Sequence, residues 1–523
     1  MKRIELSKLT KNVLKLPRLP VPTLDHTFDA YRRSVVALRP AESDEVKAHF
    51  TKLDTFLRQS APSIQKNIVA KDKAAEEAGT YPFTYVESLL EHQFLKSRTP
   101  EVNMNSVFIL KPDALKHVEK KEGASDHQIQ AAAAARSLYA IGLWLQEVKA
   151  QGVPLPEEVS TFLTQQKNAV LTIDQILEGQ LHESCIDLSP LHHEFGRSLI
   201  PAADVDEIKT TPIEELGHVV VLHDGFPYLL NIMDPADKSR TLSLEEIQKG
   251  LEYILSVTPE TDNTTPVSVL TAASRTLWSK AYAELTKGEE NAKNKEMLEK
   301  FHTAVLIVCL DSGKWSDHAS LAESAALHGS KEELENRWYD KHQMIVSADG
   351  QLAFNFEASC SDRVHWAYWI EHVLRVANAA PPAVVKDDTT FDFTRLVQPL
   401  EITFGKSFAA HIRNARLEAH HIVEDLEVHS VHIPYGKEKI ALLNEAEVNK
   451  GVRITPDAFA QLVLQLAHDT LRDRLTAASQ LCSVANFFHG LTALARTMTT
   501  ELAQVIHILN EMERKALPKL GRK

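Results

Sequence analysis

From residue 23 to about residue 180 the apolar positions recur with a helical period, predicting a largely helical opening. Its strongest helix former is the run Ala131 to Ala135, followed by Arg136, Leu138, Tyr139 and Leu143, which suits close helix packing. The texture changes near Leu216. Residues 218–222 (HVVVL), the Asp224-Gly225 dipeptide and residues 226–232 read as two strands joined by a tight turn. Ser243-x-x-Glu246 is a capping signature within a helical pattern over 242–255. Residues 344–346, Asp349-Gly350 and residues 352–356 repeat the strand–turn–strand pattern, and the apolar stretch 304–310 suits a buried strand or helix core. From Phe391 onward the pattern predicts helices over 408–426 and 456–475, with 428–433 the one strand-like stretch. Prolines at 17, 20 and 22 predict an extended start, and residues 381–390 a polar linker and domain boundary. The class is α/β with mixed sheets and many helices.

A length of 523 residues calls for two domains and is ample for a large core. With 44% hydrophobic and 25% charged residues the balance is that of a globular protein. The net charge of -13 gives no global basic field for nucleic acid, so RNA contact is expected only within a larger assembly. Cys185, Cys309, Cys360 and Cys482 form neither a CxxC pair nor a disulfide framework, which fits a reducing compartment. No run reaches the roughly 18 to 20 apolar residues of a membrane span. The first twenty residues interleave Lys2, Arg3, Lys8, Lys11 and Lys15 with leucines; either a mitochondrial targeting helix or a basic surface helix fits them.

Several segments together resemble the carnitine/choline acyltransferase family. They are residues 16–31 (LPRLPVPTLDHTFDAY), 218–232, 242–255, 265–278 (TPVSVLTAASRTLW), 301–312 (FHTAVLIVCLDS), 335–359 (ENRWYDKHQMIVSADGQLAFNFEAS) and 454–467 (ITPDAFAQLVLQLA). The likeness is collinear from about residue 16 to about residue 510. It implies the two-domain coenzyme A-dependent acyltransferase fold, with an acyl acceptor and coenzyme A meeting at a catalytic histidine. On it we divide the chain into an N-terminal segment 1–22, an N-terminal lobe 23–385 and a shortened C-terminal lobe 386–523. Mitochondrial localisation follows from the family's usual place and the basic N-terminus.

Acyl transfer to a hydroxyl needs a general base within hydrogen-bond reach, and imidazole suits the task with a pKa of about 6.5. The family pattern reads EHSxxDG. Here it reads Glu357-Ala358-Ser359-Cys360-Ser361-Asp362-Arg363, so Ala358 occupies the position of the base and Asp362 is the retained aspartate. The carboxylate-binding pattern STR–F–HGRTE has become Ser483-Val484-Ala485, Asn486-Phe487-Phe488 and His489-Gly490-Leu491-Thr492-Ala493. Carnitine's carboxylate loses its cationic and hydroxyl partners. Leu199 replaces the arginine before Ile-Pro, and the likeness fades near Val505. These departures describe a degenerate member.

Lys437, Lys439 and Asp457 fall where the family holds coenzyme A phosphates; a solvated basic loop is the competing reading. His421 with Asp425 also satisfies HxxxD, but one helical turn apart inside a helix they read as a surface pair. His365 and His372 read as helix residues, Trp366, Tyr368 and Trp369 as core, and Cys360 as a packed thiol. His192-His193-Glu194 lacks a matching ligand pair and reads as surface or domain contact. The leading expectation is a catalytically inactive scaffold, a structural or assembly subunit bound to other proteins of a mitochondrial complex. The alternatives are a coenzyme A or acyl-coenzyme A binding protein, and an acyltransferase with relocated catalytic residues.

Overall fold

The computed structural model describes residues 18–39, 41–79, 83–111, 114–116, 118, 124–151, 187–257, 267–315, 317–327, 335–359, 362–381, 393–429 and 456–516. The basic N-terminal segment, Cys185, Cys360, Lys437, Lys439, most of the 381–390 linker and the end of the 428–433 stretch lie outside them.

The chain opens with helices α1 (Leu24–Val36), α2 (Asp44–Gln59), α3 (Ala61–Ala78) and α4 (Tyr85–Lys96). Strand β1 (Ser106–Ile109) and the long helix α5 (Asp126–Gln151) follow, then a single turn α6 (Leu191–Glu194) and the hairpin β2 (Arg197–Ile200) and β3 (Glu207–Thr210). Next come β4 (His218–His223), β5 (Phe226–Asn231), α7 (Leu244–Ser256), α8 (Arg275–Thr286), α9 (Ala292–His302), β6 (Ile307–Leu310) and α10 (His318–Leu327). Strands β7 (Gln343–Val346) and β8 (Leu352–Phe356) lead to α11 (Arg363–Ala379), β9 (Val397–Pro399) and α12 (Ala409–Asp425). The chain closes with α13 (Pro456–Arg472), β10 (Ser479–Ser483), β11 (Thr492–Arg496) and α14 (Thr500–Ala516).

The described residues form two compact units. The first holds those from 88 to 429 together with 485–489; the second holds 18–87, 456–484 and 490–516. A division at residue 385 does not coincide with this one. Helical period shows which face of α1 is apolar, but not that Ala37 and Leu38 share a core with Leu462, Met498, Leu502 and Ile506, far along the chain.

The first unit is built on a seven-stranded sheet in the order β1-β8-β7-β6-β4-β5-β9. β6 runs parallel to β4 and β7, and the other pairings are antiparallel, so the sheet is mixed. Strands covered on both faces must be apolar throughout. β4 obeys this: Val219 and Val221 enter one core, with α5, α7 and α11, while Val220 and Leu222 enter the other, with α8, α9, α10 and α12. The alanine run packs as expected, with Ala131, Ala133, Ala134 and Ala135 sealed against the sheet. The β4–β5 turn takes positive φ at both Asp224 and Gly225, the two-residue hairpin geometry that the dipeptide announced. Helix α7 begins with the reciprocal Ser243–Glu246 capping box. Six strands were not anticipated: β1, β2, β3, β9, β10 and β11. They are three to five residues long, and β10 and β11 alternate polar and small side chains too weakly to show a period.

Candidate active site

The end of β8 carries the position where the family places its base. Phe356 and Glu357 are buried and Ala358 is half-buried. The Glu357 carboxylate turns onto its own neighbour, accepting from the Ser359 amide at 2.7 Å and the Ser359 hydroxyl at 2.7 Å. Asp362 caps α11, its Oδ1 accepting from the Val364 amide at 3.1 Å. Its other oxygen, Oδ2, is buried with no hydrogen-bond partner. Arg363, which stands in place of the motif glycine, donates from Nε to Ser106 Oγ at 3.2 Å and so ties α11 to β1.

One imidazole contacts this turn from below, and sequence reading had not singled it out. His342 Nδ1 accepts from the Glu357 amide at 3.1 Å. Its Nε2 stands 3.4 Å from Glu194 Oε1, which also accepts from Trp366 Nε1. The ring is enclosed by Phe195, Phe356 and Trp366. Burial first, then Lys341 and Arg197, hold its pKa well below the usual range, so it is neutral. With 3% exposure it meets no solvent-borne hydroxyl. The available signal was its place within segment 335–359. Glu194 corrects the surface reading of His192-His193-Glu194: it is buried, although His193 is exposed.

A second Ser–His contact, Ser198 Oγ to His302 Nδ1 at 3.1 Å, continues to Tyr282 at 3.0 Å. Burial, with Lys341 and Lys209, lowers His302 to about 3. With Ser198 and His302 both sealed, this is a core network.

His365 and His372 lie on α11 as expected. His365 Nε2 donates to the Asp187 carbonyl at 2.7 Å, and burial lowers its pKa. Asp187 in turn gathers the degenerate segment: its amide donates to the Ala485 carbonyl at 2.8 Å, and its Oδ2 accepts from the His489 amide at 2.8 Å. Ala485 and His489 are buried, so this loop is pinned by backbone bonds. Leu199 is core, paired with Ile208. Trp366 and Trp369 are core as well, while His421 and Asp425 are exposed on α12. Asp457 is exposed and accepts from Gln480 Nε2 at 3.1 Å. It is thus the one coenzyme A candidate among the described residues.

Behind the site lies a buried ionic cluster. Arg275 Nε donates to Asp206 Oδ2 at 2.6 Å, its Nη1 pairs with Asp340 Oδ1, and Trp278 Nε1 donates to Asp340 Oδ2 at 2.7 Å. Glu101 stands 3.8 Å from Arg275 Nε. Burial pushes Glu101 up to about 8; Arg275 opposes this, and Glu357, Asp340 and Asp206 add to it. One carboxyl in this group therefore keeps its proton at neutral pH.

The mixed sheet, the helices on both faces and the motif remnant at the end of β8 define an acyltransferase-type protein. The chain belongs to the choline/carnitine O-acyltransferase family, whose sequence model matches residues 19–520. The match therefore runs past Val505, where the likeness had been expected to fade. Human carnitine O-palmitoyltransferase 2, mitochondrial, is 26% identical over 485 residues, covering 92% of this chain and 69% of that protein. Drosophila melanogaster choline O-acetyltransferase is 25% identical over 524 residues, covering 93% and 64%. The muscle isoform of human carnitine O-palmitoyltransferase 1 is 25% identical over 519 residues, covering 95% and 58%. No helix among the described residues is long and apolar enough to cross a membrane.

Proposed function

We propose that this family member does not transfer acyl groups and serves as a structural or assembly subunit of a mitochondrial complex. One observation carries the reading: the position after Glu357 is an alanine, while the motif aspartate Asp362 keeps a buried oxygen with no donor. A general base needs a side chain that accepts a proton and a second group that orients it. Here only a carboxylate with that second capacity is left. The segment at 483–493 offers neither a cation nor the motif's arginine and glutamate to a small carboxylate substrate. The mitochondrial part of the reading draws on the carnitine palmitoyltransferase relatives and the basic first twenty residues.

The test is thiol release from acetyl- and palmitoyl-coenzyme A, with carnitine and then choline as acceptor. No release above the protein-free rate is expected, either from the chain as it stands or from Ala358→His. Turnover by the unmodified chain ends the proposal. For the assembly role, the tagged chain purified from mitochondria is expected to bring down other proteins in fixed ratio.

A further inference from the structure

Helix α14 has two apolar faces where a surface helix ordinarily has one. Ile506 is sealed, and Leu502 and Ala503 pack beside it in the small core of the second unit. The other face carries Val505, Ile508, Leu509 and Met512, exposed by 41%, 56%, 36% and 62%. Their spacing of i, i+3, i+4 and i+7 makes one continuous stripe, the pattern by which one helix packs along another. Scattered surface leucines need no explanation, but an aligned stripe of four does.

The stripe is nearly its own mirror about a point between Ile508 and Leu509. Turned end for end on a second copy, Val505 comes level with Met512 and Ile508 with Leu509. The charges follow the same rule: Glu501 stands in the first turn, and Lys515, seven positions after Ile508, in the last. An antiparallel pair places each Glu501 level with the other copy's Lys515. A parallel pair would set like against like. From this we infer that α14 pairs with α14 of a second copy, antiparallel, about a twofold axis at residues 508 and 509. The contact is isologous, so it closes at two chains. This pairing is independent of whether the protein transfers acyl groups. A stripe of four large side chains is at the low end of specific interfaces, so the dimer is expected in the micromolar range rather than the nanomolar.

The experiment is sedimentation equilibrium of the full chain from about 1 to about 200 micromolar, a span that brackets such an affinity. The expected result is a mass rising from 58.5 kDa to twice that value. Ile508→Asp and Leu509→Asp, both at exposed positions, are expected to weaken association at least tenfold with unchanged circular dichroism. Lys515→Glu weakens it too, and adding Glu501→Lys restores it. A chain that stays monomeric throughout overturns the inference, as does a dimer indifferent to these variants. A monomer whose Leu509→Cys thiol is shielded from a maleimide only in native extract assigns the stripe to a different protein, and likewise overturns self-pairing.

Discussion

Two aspartates lie buried just beyond the ends of sheet strands, Asp311 after β6 and Asp362 after β8, and their surroundings differ sharply. Asp311 has both oxygens engaged. Oδ1 accepts from Arg337 Nη1 at 2.7 Å and Asn336 Nδ2 at 3.0 Å; Oδ2 accepts from Arg337 Nη2 at 2.7 Å and the Ser324 hydroxyl at 3.1 Å. Asp362 has one oxygen engaged in a helix cap and the other in nothing. A buried carboxylate is tolerable when its lone pairs are met and costly when they are not. The first aspartate is part of the scaffold, where partners persist because losing one unravels the fold. The second belongs to a motif whose partner was needed for chemistry, and its isolation leaves the fold standing.

The comparison breaks most visibly at the scaffold aspartate. Asp311→Ala strands the fully buried Arg337 guanidinium, and a loss of about 3 to 5 kcal/mol is expected, read from urea unfolding. A loss below about 1 kcal/mol would mean that Asp311 is no better integrated than Asp362. The pH dependence of stability comes next. Glu101 is raised to about 8 in the folded chain, so between pH 8 and its unfolded value the native state holds the extra proton and stability rises as pH falls. His302 and His218 act oppositely. Burial lowers them to about 3 and about 4, so below roughly pH 6.5 the unfolded chain takes protons that the folded chain refuses, and stability falls. Midpoints measured across pH 4 to 9 should peak near about pH 6.5, where the two slopes meet. Glu101→Gln should flatten the alkaline limb and leave the acid limb in place.

How much of this was legible in the residues follows from what each signal encodes. The central strands announced themselves because burial on both faces demands unbroken apolar runs, as in residues 218–222 and 307–310. The capping box on α7 and the Asp224-Gly225 turn are local chemistry and were readable at their own positions. Edge strands were not. β1 pairs with β8 across some 250 residues, and β9 is three residues ending in Pro399, so neither has a local pattern of its own. At the site, the alanine at 358 was visible once the surrounding motif was aligned. The enclosure of His342 and the second engagement of Glu357 by Ser359 depend on three-dimensional neighbours that spacing does not specify.

The smallest effect sharpens the comparison most, because its sign is in question. Asp362→Ser keeps an oxygen able to cap α11, since serine is as good an N-cap as aspartate, and removes the unpartnered Oδ2. Relief of a buried unsatisfied acceptor is worth about 1 to 3 kcal/mol. The void left by the smaller side chain and the lost charge at the helix N-terminus offset part of that. The expected outcome is a stability unchanged or raised by about 1 kcal/mol, measured beside Asp362→Ala, which also forfeits the cap and should fall below it. If Asp362→Ser instead cost as much as Asp311→Ala, the free oxygen would have to be bound in solution. The two aspartates would then be scaffold alike.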